Sequence, residues 1–209
     1  MAGSGDLMKK IVLAIAAVLA VGTGSANATP SSCDAVAGNI IQNCGFESGD
    51  FSNWTTAPAS SGSLFYVDTP GHTGSFDAYF GAIGGLPDVI KQAVTTTPGH
   101  LYDLEFYLKS DGLTPNGAFV GYVSSAIFHQ LGQGTDIAAF DWTLEDFSFT
   151  ATTNSTLILF GAQDVPGYLQ FDDIVLRDVT NVPEPFTLGI FGAGLVGAFA
   201  MRRRKHNPA

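Results

Sequence analysis

Leu101-Tyr102-Asp103-Leu104-Glu105-Phe106-Tyr107-Leu108-Lys109 is the stretch that decides the fold. Tyr102, Leu104, Phe106 and Leu108 share one parity, and Asp103, Glu105 and Tyr107 share the other. Successive side chains of a strand point to opposite faces, so this is a strand with one buried side. Working outward, similar short runs rich in Val, Ile, Phe, Tyr and Thr lie between Gly, Pro, Asn and Asp. They are 39–44, 63–67, 78–82, 89–95, 118–123, 147–151, 156–161 and 168–176. No stretch between them has the length or 3.6-residue period of a crossover helix, which excludes a parallel α/β fold. The expectation is an all-β domain over 29–181, an antiparallel β-sandwich of jelly-roll type. Thirteen of the chain's sixteen Phe lie within it and supply large core side chains.

The two ends read differently. Met8-Lys9-Lys10, the apolar run Ile11–Val21 and Ala26-Asn27-Ala28 follow the order of an export signal. Residues 1–28 are therefore expected to be a signal peptide, helical in its apolar part and handled by the secretion translocon. At the other end, Asn181-Val182-Pro183-Glu184-Pro185 breaks the domain pattern. Residues 186–201 carry no charge, and Arg202-Arg203-Arg204-Lys205 closes the run ahead of a short 206–209 tail. Sixteen apolar residues form a short membrane helix, and the basic cluster is expected on the cytoplasmic side. That orientation places the β domain outside.

Between Thr29 and Pro185 there are three basic residues, Lys91, Lys109 and Arg177, against eighteen acidic ones, a net of −15. Such a surface repels phosphate backbones, so a nucleic-acid partner is excluded. Cys33 and Cys44 form an even pair in an exported chain, which points to a disulfide rather than a zinc site.

The tail resembles the PEP-CTERM sorting signal: Pro183-Glu184-Pro185 as the motif, 186–201 as the hydrophobic segment, and the basic end Arg202, Arg203, Arg204 and Lys205. The resemblance implies an exosortase as processing partner. It also implies an inner-membrane-anchored precursor that ends at the cell surface or in the extracellular matrix. A plain C-terminal anchor is the alternative. Three blocks of the domain resemble galactose-binding-like jelly rolls and carbohydrate-binding modules. They are Asn43-Cys44-Gly45-Phe46-Glu47 through Trp54, Gln92 through Phe106, and Phe171-Asp172-Asp173-Ile174-Val175-Leu176. This second resemblance implies a structural Ca²⁺ held by Glu47 and Asp172, with Asn43 and Asp173 as further candidates. The alternative for Glu47 is that it caps a turn through backbone N–H groups.

Glycan binding needs exposed aromatic platforms. Trp54, Tyr66, Tyr79, Tyr107, Tyr122, Trp142 and Tyr168 qualify by type. Trp54 belongs to a fold block and is expected in the core. Trp142, read as lying in a polar loop, and Tyr107, on the polar face of its strand, are the candidate ligand contacts. His72, His100 and His129 stand apart, and no nucleophile elbow or metalloprotease motif is present. The chain is thus expected to be non-catalytic, a surface or matrix protein that binds extracellular polysaccharide. A polysaccharide hydrolase and a protein-binding adhesion module are the alternatives.

Overall fold

The computed structural model describes residues 30–82 and 85–180. The expected export signal and the sorting segment, with their helices, lie outside the described residues. Ten strands follow a short 3-10 turn at Ser32–Ala35. They are β1 (Thr55–Ala57), β2 (Leu64–Asp68), β3 (Asp77–Gly81), β4 (Asp88–Thr95) and β5 (Leu101–Ser110). The second half holds β6 (Asn116–Ser124), β7 (Ile127–Thr135), β8 (Phe140–Thr150), β9 (Ser155–Asp164) and β10 (Leu169–Asp178). They build two five-stranded antiparallel sheets, in the orders β1-β4-β9-β6-β7 and β2-β3-β10-β5-β8. The expected all-β sandwich is the fold.

Strand β5 carries the alternation that decided it. Tyr102, Leu104, Phe106 and Leu108 are buried, while Asp103, Glu105, Tyr107 and Lys109 are half-buried on the other side. Strands β4 and β9 meet it from the opposite sheet with Ile90, Val94, Ile158 and Phe160 inward. Phe160 is fully buried and meets Phe106, Phe171 and Trp54 at ring-centroid distances of 5.0, 5.6 and 6.1 Å. Trp54 is in the core, and its indole N–H donates to the Asn43 carbonyl at 3.2 Å. Among the described residues the buried core runs from Cys33 to Leu176 and draws on both sheets, so residues 30–180 carry a core of their own.

Three readings of the strands need correction. Residues 39–44 are not a strand. They run as an irregular segment beside β10, where Ile40 N–H donates to Leu176 O and Ile174 N–H to Cys44 O, both at 2.9 Å. The Asn39 amide adds bonds to Ile174 O and from Leu176 N–H. The segment thus satisfies the β10 backbone that β3 leaves unpaired. The expected disulfide joins Cys33 to Cys44 and ties the end of the segment to the 3-10 turn before it. Strand β7 had no apolar alternation to reveal it, because Gly132, Gly134 and two glutamines interrupt the run. Strand β8 begins at Phe140, so Trp142 lies on a strand rather than in a loop.

Not every buried polar group is satisfied. Asp88 accepts from Ala59 N–H and Ser63 O–H. Asp77, at the start of β3, is fully buried and neither oxygen has a partner. Burial pushes its carboxyl up to about 8; Asp68 beside it adds to the rise and Lys109 opposes it. The folded carboxyl therefore holds its proton more tightly than the unfolded one, whose value is near 3.8. The stability it contributes is complete below about pH 4 and is lost as pH rises through about 8.

Two outcomes are expected. Asp77→Asn should stabilise the domain at pH 8 by on the order of 2 kcal/mol, with no gain at pH 4, by urea unfolding. Phe160→Ala should cost about 3–5 kcal/mol in the same assay, against less than about 0.5 for exposed Leu144→Ala.

Candidate functional site

The outward face of the second sheet gathers half-buried aromatic side chains, Tyr66, Tyr79, Tyr107, Trp142 and Tyr168, beside polar ones. Inward Phe65, Phe80, Leu169 and Leu108 fix the parity of their strands, so Tyr66, Tyr79, Gln170 and Lys109 all project outward. Tyr66 and Tyr79 are opposite each other and stack at 5.2 Å, 6° from parallel. Tyr168 stands edge-on to both, at 5.7 and 5.6 Å. It reaches them because residue 81 is glycine: a Cβ there would lie 2.7 Å from the Tyr168 ring. A hydrogen bond with Tyr168, then burial, pushes the Tyr66 phenol up, while burial and the charges of Asp77 and Asp68 push Tyr79 up to about 12. Both phenols remain protonated donors at neutral pH.

The other end of this face is built around His72. Its ring stacks on Tyr107 at 3.7 Å and tilts against Trp142 at 5.5 Å. Lys109 Nζ lies 5.6 Å from the Trp142 ring centroid and 3.9 Å from Asp141 Oδ1. Gln170 and Lys109, paired across β10 and β5, lie between the tyrosine corner and this group. Trp142 and Tyr107 are thus brought together, as contacts of one residue the sequence left isolated. His72 sits in the 69–76 loop, a hundred residues before the acids it meets, and no local pattern announces it. Tyr122 is a core residue, stacked on Phe149 at 4.2 Å.

Beneath His72 lies the acidic cluster. Asp172 is fully buried; its Oδ2 accepts from His72 N–H at 2.7 Å and Thr73 N–H at 3.2 Å. Its Oδ1 accepts from Asp173 N–H at 2.7 Å. Burial, then the neighbouring Asp173 charge, pushes the Asp172 carboxyl up to about 8. Asp173 has φ of 51° where β10 breaks register against β5, and this turns its side chain back toward the loop. Its carboxylate meets His72 Nδ1 and Thr73 Oγ1, both at 2.8 Å, and Cys33 N–H at 3.3 Å. Glu47 Oε1 accepts from Ser75 N–H and Phe76 N–H at 2.9 and 3.0 Å; its buried Oε2 has no partner. Glu47 and Asp172 therefore grip one loop by its backbone amides, and Asp173 grips it by the His72 and Thr73 side chains. Asn43 stands apart from the grip: its amide donates to Asp50 O and Ser52 O and accepts from Ser48 N–H. In the other acidic group of this sheet, Asp103, Glu105 and Asp146, the first two pair with Arg177.

Comparison with known proteins adds two findings. Residues 181–205 match the PEP-CTERM protein-sorting motif. No curated protein matches the chain. Among solved structures, the carbohydrate-binding module TmCBM61, in complex with β-1,4-galactotriose, is similar at a TM-score of 0.54 and 16% identity. The match covers 67% of this chain and 98% of that one. The CBM22-1 xylan-binding domain from Paenibacillus barcinonensis Xyn10C matches at 0.51 and 17%, over 70% and 98%. The enzymatically active domain of bacteriophage CBA120 tailspike protein 4 matches at 0.53 and 14%, over 68% of this chain but only 21% of that one. At such identities the likeness concerns the fold. The motif marks an exported precursor of the cell envelope, membrane-anchored and processed by an exosortase. The chain is thus a PEP-CTERM-bearing exported protein whose β domain has the sandwich fold of carbohydrate-binding modules.

Proposed function

We propose that the outward face of the second sheet binds a neutral polysaccharide at the cell surface or in the extracellular matrix, without catalysis. The observation that carries this reading is the row of side chains from the Tyr66–Tyr79–Tyr168 corner to Trp142. Sugar rings offer apolar C–H faces that pack on aromatic rings, and hydroxyls that pair with amides, phenols and ammonium groups. This face presents both kinds of group on rigid strands. The similar structures that carry galactotriose or are described as xylan-binding favour the same class of ligand. The net charge of −15 over 29–185 disfavours uronate-rich or sulfated chains. Four acids near this row are otherwise engaged, Asp172 and Asp173 by the loop, Glu105 by Arg177 and Asp77 under cover, whereas the exposed Asp68 and Asp146 stand on the two opposite edge strands. That favours binding over hydrolysis, which needs two free carboxylates flanking the scissile bond.

The calcium expectation fits the same region. Glu47 keeps one buried, unpartnered oxygen, and burial with the neighbouring Asp173 charge pushes the Asp172 carboxyl up to about 8. No lysine or arginine pairs with either among the described residues. The loop between them turns the carbonyls of Thr73 and Phe76 toward Gly71, into space that any side chain at 71 would fill. Calcium takes such mixed carboxylate and carbonyl sets. Its role would be to offset the buried charge and fix the loop that carries His72.

On a glycan array of residues 29–182, Trp142→Ala and Tyr79→Ala should each weaken binding about 5–10-fold. Phe128→Ala, on the first sheet, should leave it unchanged. Equal binding by all three variants would move the site off this face. Millimolar calcium should raise the melting temperature over the chelated protein by about 5 °C or more, and Glu47→Gln should erase that response. A wild-type melting temperature indifferent to chelator would rule the ion out.

A further inference from the structure

A second cavity lies on a different part of the molecule. A cleft of about 300 Å³ opens between the two sheets where β7 and β8 form neighbouring edges. Its walls are inward side chains of both sheets, among them Phe106, Leu108, Ala118, Val120, Phe140 and Phe147. Gly132 on β7 helps to shape it, since a Cβ there would lie 2.6 Å from the Phe147 ring.

One acidic side chain lines this apolar space. Glu145 stands opposite Phe106 in the β5–β8 ladder, and Phe106 is buried on the inner face. Residues directly opposite share a face, so Glu145 projects inward. Its neighbour Leu144 projects outward and is 49% exposed. The pair is inverted relative to what a half-buried strand demands, a conflict between local sequence and fold that marks functional positions. Among the described residues no ion pair involves Glu145. An inward charge on an edge strand also discourages unwanted strand pairing. That role needs no void beside the charge, and here there is one.

We propose that this cleft is a binding site for a small amphiphile with a protonated amine head. The apolar body fills the space between the sheets and the head pairs with Glu145. The volume stands at the lower end of ligand pockets and suits a body of about ten heavy atoms. The pairing offsets the cost of a carboxylate among phenylalanines, which an alcohol does less well and an anion reverses. The site is separate from the polysaccharide face and does not depend on that reading.

The test uses residues 29–182, n-octylammonium, octanol and octanoate, with amide chemical shifts as readout. Octylammonium should saturate one site, with shifts confined to β7, β8 and the facing parts of β5, β6 and β10. Octanoate should bind at least 10-fold more weakly. Glu145→Gln should weaken octylammonium about 10-fold and leave octanol unchanged. Ala118→Leu, which fills the cleft, should abolish both. No saturable shift with wild type, equal affinity for octanoate and octylammonium, or shifts on the tyrosine corner would each overturn the proposal. The comparison of the two ions on wild type decides the matter without any variant.

Discussion

Asp172 accepts three backbone N–H groups from a position with no contact to solvent. Most of what distinguishes this domain from a plain sandwich depends on that arrangement. The irregularity that follows on β10 turns Asp173 toward the same loop, and Glu47 takes the loop's next two amides. A carboxylate deprived of water must be repaid in hydrogen bonds, and only a loop folded back on itself offers so many donors at once. The loop is thereby held over β5, and His72 is laid on Tyr107. The histidine, the tyrosine and Trp142 become one surface through a buried charge none of them touches but His72, by its backbone.

The same arrangement explains the N-terminal segment. Residues 39–44 lack a strand partner of their own, yet their backbone bonds fill the β10 edge that β3 abandons. The disulfide closes this segment around Ser31 and the Asp173 contact. Chain entropy that a loose N-terminus would retain is removed from the unfolded state as well.

What the sequence reveals follows from how local each signal is. The alternation of 101–109 survives because every inward residue of β5 meets the core, and the cysteine pair is legible from number and compartment. Strand β7 escapes notice because glycines replace the apolar residues that would have marked it, and their absence of side chains is what leaves the cleft open. Strand β8 is misread at Trp142 because Leu144 and Glu145 face the reverse of their chemical preference. The acids 47, 172 and 173 are legible as a set through resemblance, but their engagement with backbone amides is not. It depends on a loop that carries no motif. His72 belongs to the same case: its role arises from contacts across a hundred residues of chain.

Strand β10 is the last of the domain and also the middle strand of its sheet, bonded to β3 and the 39–44 segment on one side and to β5 on the other. The sorting motif begins three residues after it ends. Any mechanical load entering from that tether therefore arrives at a central strand bonded on both sides. Tension along β10 must shear two hydrogen-bonded ladders together, where the same pull on β7 or β8 would peel an edge one bond at a time. The topology thus joins the sorting segment to a strand that resists force better than either edge of its sheet would.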